Sequence, residues 1–220
     1  HYKALLDWQD IRRFMQELDQ LTGAPQTVLM AKVFPHVALR PRNIFAMRAE
    51  WVDFSSRSVE FPASAMKGDE SKKTAAPHIL PMSTQVRALL EEAIDINLGS
   101  QWVFPTGSDH DDKPLSDATP KQAFTRMGFT ARDLNPHGWR ATFRTLTVES
   151  LGHRPDLAEH CLAHTVQWPN GRAYDRTEFL PERRVMMQDW SNFLFWLKEA
   201  SDAELKQRKE QMAEPQDSLI

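Results

Sequence analysis

The apolar residues of this chain keep a helical period along most of its length and turn strand-like in one stretch, residues 51–80. That switch points to a mainly helical α+β domain carrying one small sheet. In residues 7–21, Ile11, Phe14, Met15, Leu18 and Leu21 recur three and four apart, and Gly23-Ala24-Pro25 closes that helix. Residues 27–39 are apolar enough for a buried helix. Pro35 must kink or break it, because proline lacks an amide donor and crowds the preceding turn. Pro41 can open the next helix, where its missing N–H costs little.

Residues 51–54 and 58–61 flank a Ser-Ser-Arg turn, and residues 78–80 supply a third strand, so a small three-stranded antiparallel sheet is expected. Ser83 is a good cap for a helix whose buried stripe would be Val86, Leu89, Leu90, Ala93, Ile94 and Leu98. Ser116 should cap a helix running to Met127. Asn135-Pro136 should open one that carries His137 and Arg140 to about Leu151. Residues 155–164 read as a short helix. A final helix starts at Pro181 and buries Val185, Met186, Trp190, Phe193, Leu194 and Leu197, and the polar residues after Ala200 are expected to fray.

Composition excludes several classes. No apolar run is long enough to cross a membrane, and no signal peptide is visible. The one cysteine, Cys161, rules out an internal disulfide and fits a reducing cytoplasm. A net charge of −3 argues mildly against a polyanionic partner, although residues 126–184 hold nine Arg against seven Asp plus Glu. The chain begins at His1, and a fragment lacking an N-terminal DNA-binding domain is expected.

Against this background five residues stand out: Arg40, His137, Arg140, His164 and Tyr174. Cleaving a phosphodiester with a side chain loads negative charge onto the non-bridging oxygens, which an arginine fork meets with two hydrogen bonds and a permanent charge. A tyrosine nucleophile must lose its proton, and an imidazole can take it or hold the phosphate. A lysine on a mobile hairpin could protonate the leaving 5′ oxygen. Cations can do this work without a metal, and no glycine loop for a nucleotide is present, so no cofactor is expected.

The segments around these residues resemble the catalytic domain of the tyrosine recombinases, in particular the integrases of prophages and genomic islands. The resemblance runs from His1 to about Trp196. It rests on His137-Gly-Trp-Arg-Ala-Thr, Leu151-Gly-His-Arg-Pro-Asp, Leu162-Ala-His164, Ala173-Tyr174-Asp-Arg and the stretch from Glu182 to Trp190, in that order. It implies that Tyr174 is the nucleophile and that Arg40 and Arg140 clamp the phosphate. His137 would act in acid–base transfer and His164 would hydrogen-bond the phosphate. It further implies attachment-site DNA as substrate, a tetramer of recombinase protomers on that DNA, a directionality factor, and a catalytic unit over residues 1–200 followed by a polar tail over 201–220. A type IB topoisomerase or a degenerate DNA-binding module would be the competing readings.

The sequence departs from that family twice. Arg40 is followed by Pro41-Arg42-Asn43 where the family has Pro-Gly-Glu, so an acid is lost and Arg42 could compete with Arg40. The lysine loop over residues 64–77 is about six residues longer than usual. Counting forward from Pro62 selects Lys67, the favoured choice, and counting back from Pro81 selects Lys73. His160 and His164, with His153 nearby, have a spacing that can bind zinc, but no general-base Glu lies between them and no second cysteine is near, so no metal site is expected.

Overall fold

In the computed structural model, residues 2–66, 77–107, 112–164 and 179–213 are described. The N-terminal helix α1 (Trp8–Gln20) begins where Asp7 accepts the Gln9 N–H at 2.7 Å, and it buries Trp8, Ile11, Phe14, Met15 and Leu18. Pro25 opens α2 (Pro25–Val33) rather than only closing the helix before it.

Pro35 breaks the apolar run, as its chemistry demands. The α-helix stops at Val33, a 3₁₀ turn covers Phe34–His36, and Val37 is extended. The freed Pro35 carbonyl accepts two buried indole N–H groups, Trp139 Nε1 and Trp190 Nε1, each at 2.8 Å. One proline thus ties three distant stretches together and aims Ala38-Leu39-Arg40 at the helix bearing Trp139. Pro41 then starts α3 (Pro41–Phe45), with Arg40 at its N-cap.

The sheet follows as expected: β1 (Val52–Asp53), β2 (Ser58–Phe61) and β3 (His78–Pro81), antiparallel in that order. Its register sets Val59 opposite Leu80 and Phe61 opposite His78. Ser83 caps α4 (Thr84–Asp95) by accepting the Val86 N–H at 3.2 Å. Leu98 departs from the expected stripe: α4 ends at Asp95, Leu98 turns left-handed with φ +57°, and it is 93% exposed. Next comes α5 (Ala118–Arg126), for which Asp117, not Ser116, is the N-cap. Ser116 bonds Thr119 Oγ1 instead.

Four further helices complete the described fold: α6 (Trp139–Glu149), α7 (Pro155–Cys161), α8 (Leu180–Glu199) and α9 (Asp202–Ala213). Trp190, Phe193, Leu194 and Leu197 of α8 are buried, while Val185 is 58% exposed. The residues past Ala200 were expected to fray, yet residues 202–213 are helical. Leu205 is buried, Arg12 pairs with Asp202 at 2.6 Å, Lys209 pairs with Asp7 at 3.1 Å, and Arg208 lies over the Trp196 ring at 4.3 Å. Apolar anchoring plus ion pairs and cation–π contacts outweigh the fraying of a polar terminus. No described helix is long and apolar enough to cross a membrane.

Candidate active site

Arg140 occupies the first turn of α6 and is 6% exposed. Its Nη1 donates to the Ala38 carbonyl at 2.6 Å, and its Nη2 donates to the Leu162 carbonyl at 2.7 Å. Nη2 also lies 2.8 Å from His164 Nε2. Arg140 therefore pins the segment entering α3 to the end of α7, which is why Arg40 and His164 arrive at one place. Burial first, and then the neighbouring Arg40 guanidinium, lower the Arg140 pKa from 12.5 to about 10, with Glu159 pulling the other way. Arg140 stays a cation at neutral pH. Among the described residues, the Arg40 side chain makes no hydrogen bond or ion pair: nearby Glu50 pairs instead with Arg48 at 3.6 Å, and Asp53 is held by Ser55 and Ser56. Arg42 is exposed, so Arg40 is the arginine that faces Arg140. Two cations held together with so little carboxylate compensation form a site prepared for an anion.

His164 reaches this site through the way α7 ends. Ala163 is left-handed with φ +52°, Ala163 N–H donates to the His160 carbonyl at 3.1 Å, and His164 N–H donates to the Glu159 carbonyl at 3.0 Å. This is a Schellman closure with alanine where glycine is usual. It folds His164 back over its own helix, where Nδ1 meets Glu159 Oε2 at 2.6 Å. Glu159 Oε1 accepts from Arg144 Nε at 3.0 Å. Burial pushes the Glu159 carboxyl up, but the bonds from His164 and Arg144 outweigh it and hold the group below its usual range.

His137 is placed differently from the expectation of one continuous helix. A 3₁₀ turn over Pro136–Gly138 precedes α6, with the Asn135 side chain accepting the His137 N–H at 2.9 Å. Proline and the Asn cap shape this first turn tightly. The His137 ring packs on Tyr2, centroids 4.6 Å apart. Arg140 bonds His164 directly, and the Arg40 charge bears on Arg140. Gly138 lets the N-terminal segment pass, since a Cβ there would sit 1.7 Å from the Lys3 carbonyl oxygen. Tyr174, Lys67 and Lys73 lie outside the described residues.

Several groups around the pocket were not singled out from sequence. Glu159 and Arg144 are the partners just described. His78, on β3, has its Nε2 buried with no hydrogen bond, and its pKa is lowered from 6.5 to about 3 by burial, then by Arg183, Arg140, Arg40 and His160. It is therefore a neutral imidazole in a strongly positive field. Asn43, which stands where the family has an acid, donates from Nδ2 to the Ala65 carbonyl at 3.0 Å and lies 3.6 Å from Met66 Sδ. An acceptor-only carboxylate could not make that bond. A glutamate five residues before a helix-ending histidine is the one signal that could have exposed Glu159.

A buried arginine, a second guanidinium whose charge bears on it and a histidine on a helix-end turn together form a cationic cluster that suits an anion. Residues 5–167 match the phage integrase family, and the chain belongs to that family. It is 31% identical over 191 residues to the prophage integrase IntZ of Escherichia coli K12, covering 87% of this chain and 45% of that protein. It is 30% identical over 185 residues to the integrase of Shigella phage Sf6, covering 84% of this chain and 46% of that protein. The chain thus spans about half the length of the curated relatives it matches. Among solved structures, the integrase of mycobacterium phage Brujita aligns with a TM-score of 0.58 at 17% identity, covering 89% of this chain and 61% of that one. The XerA recombinase aligns with a TM-score of 0.57 at 13% identity, covering 97% and 65%. These two likenesses establish the fold: the tyrosine-recombinase catalytic architecture, mainly helical with a small antiparallel sheet.

Proposed function

We propose that this chain is the catalytic domain of an integrase that cuts and rejoins duplex DNA through Tyr174, inserting or excising a mobile element. The observation that carries the reading is the bond between the buried Arg140 and His164 beside the Arg40 charge, a cationic cluster that an anion would neutralise. Family membership supports it. Tyr174 Oη attacks the scissile phosphorus, its proton passes to His137, and the phosphorus–O5′ bond breaks. A lysine, Lys67 in preference to Lys73, gives the 5′ oxygen its proton. Arg40 and Arg140 neutralise the charge that gathers on the non-bridging oxygens. The 3′ phosphotyrosine keeps the bond energy, so a partner strand's 5′ hydroxyl can reverse the step without ATP.

The remaining expectations belong to the same reading: a catalytic unit over residues 1–200, a DNA-bound tetramer, a directionality factor, and an upstream DNA-binding domain that closes around the duplex. The solved XerH recombinase is bound to its difH substrate, and the Tn1549 integrase to a circular intermediate DNA. Duplex DNA is proposed as this chain's substrate on that footing.

The test uses the intact protein and a nicked suicide duplex spanning the junction between the element and its host. A covalent protein–DNA adduct is expected, and none from Tyr174→Phe. Adduct formation by the Phe variant removes Tyr174 from its role.

A further inference from the structure

The hydrogen bonds at His164 fix more than its position. A guanidinium N–H can only donate, so at 2.8 Å from Arg140 Nη2 the His164 Nε2 must be the acceptor. The ring proton then resides on Nδ1, which donates to Glu159 Oε2 at 2.6 Å. Glu159 is itself held from its other oxygen by Arg144. The four side chains form one chain of bonds, Arg144–Glu159–His164–Arg140, running from α6 through α7 and back to α6.

We infer that Glu159 is a positioning residue for the reaction: it holds His164 in the Nδ1–H tautomer and supplies the counter-charge when His164 turns to the phosphate. The inference rests on the function proposed above. As the bonds stand, His164 has no proton to offer an anion, because its Nε2 lone pair is occupied by Arg140. When a phosphodiester enters, Arg140 Nη2–H transfers its bond to a non-bridging oxygen. Nε2 then takes a proton from solvent and donates it in a hydrogen bond to the same phosphate. The imidazolium so formed lies between the phosphate and the Glu159 carboxylate, an arrangement that stabilises the cation from both sides. The groups bearing on this charge are Arg140 and Arg144 from α6, Glu159 from α7, and Arg40 through its charge at Arg140; His78 is neutral and adds none. Arg144 keeps Glu159 ionised and stops its carboxylate from rotating away.

Two variants separate acceptor from charge, and two readouts separate this role from the overall function. Nitrogen-15 spectra of the His164 imidazole in the DNA-free protein are expected to show a protonated Nδ1 and an unprotonated Nε2. Glu159→Ala should lose that tautomer preference and lower the rate of adduct formation on the order of 10- to 100-fold. Glu159→Gln keeps an acceptor for Nδ1–H, so the tautomer should survive. Without the carboxylate the imidazolium is less stable, so the rate should fall off at a lower pH than in the wild type. A wild-type spectrum with the proton on Nε2, or Glu159→Ala with unchanged tautomer and rate, overturns the inference. So does an unmoved pH profile in Glu159→Gln. If the wild-type protein makes no adduct, the proposed function fails, and the imidazole spectrum alone then decides the role of Glu159.

Discussion

Replacing Gly138 with alanine tests how the His137–Arg140 turn is held. The backbone at Gly138, φ −63° and ψ −23°, suits any residue, so alanine should gain about 0.4–1 kcal/mol from the unfolded state. The structure opposes that gain. The new Cβ would lie 1.7 Å from the Lys3 oxygen and 2.6 Å from its carbonyl carbon, distances only a shift of the N-terminal segment can relieve. Such a shift breaks the bond from Asn135 N–H to the Lys3 carbonyl, now 3.0 Å, worth about 1 kcal/mol. It also loosens Leu5, which is buried and contributes about 1.5–3 kcal/mol. The net is a loss of about 2–3 kcal/mol, or roughly 5–10 °C in Tm for a domain of this size. Calorimetry or urea unfolding of the 220-residue chain measures it. A version starting at Leu5 is the control: with nothing left to strike, alanine there should be neutral or stabilising, and the two changes should couple strongly. A full-length Gly138→Ala protein as stable as its parent refutes the close passage of Lys3 over the turn.

Acid should weaken the fold through two neutral histidines. His36, buried against Ser191 at 3.1 Å and facing Lys198, and His78 both have pKa values lowered from 6.5 to about 3, burial being the largest cause. The folded state refuses protons that the unfolded state accepts, so stability is full above pH 6.5 and is lost as pH falls toward 3. The loss is about 2 kcal/mol per histidine at pH 5. His36→Gln should flatten part of that slope in denaturant titrations at pH 5 and pH 7. Asn43→Asp keeps the shape of the side chain but turns its donor into an acceptor facing the Ala65 carbonyl. A cost of about 2–3 kcal/mol is expected, read as a drop in Tm, so restoring an acid at this position should harm rather than help.

Much of the fold was legible because local chemistry and global packing agree. Asp7 and Ser83 cap the helices they precede, and the register of the sheet follows its apolar residues. Pro35 announced a break, but not that its carbonyl would collect two indoles from α6 and α8, since acceptors are assigned by tertiary approach. Arg40, Arg140 and His164 were legible as residue types in a known order. Glu159 was not, because its contact with His164 depends on Ala163 adopting a left-handed turn that sequence patterning disfavours. Leu98 misled for the converse reason: the helical period continued past the point where α4 unwinds. The ordering of residues 202–213 comes from contacts with α1 and α8 that a polar composition conceals.

Whether the paired guanidiniums exist to meet a phosphate's charge can be measured with Arg40→Ala, since the Arg40 side chain makes no hydrogen bond or ion pair among the described residues and its loss should leave the fold intact. Adduct formation by the intact protein is followed on two suicide duplexes, one with a normal scissile phosphodiester and one with a neutral methylphosphonate there. On the charged duplex the variant should be slower by on the order of 100-fold or more. On the neutral duplex most of that deficit should vanish. A variant as fast as the wild type on the phosphodiester, or equally slow on both substrates, would contradict a charge-neutralising pocket at Arg40 and Arg140.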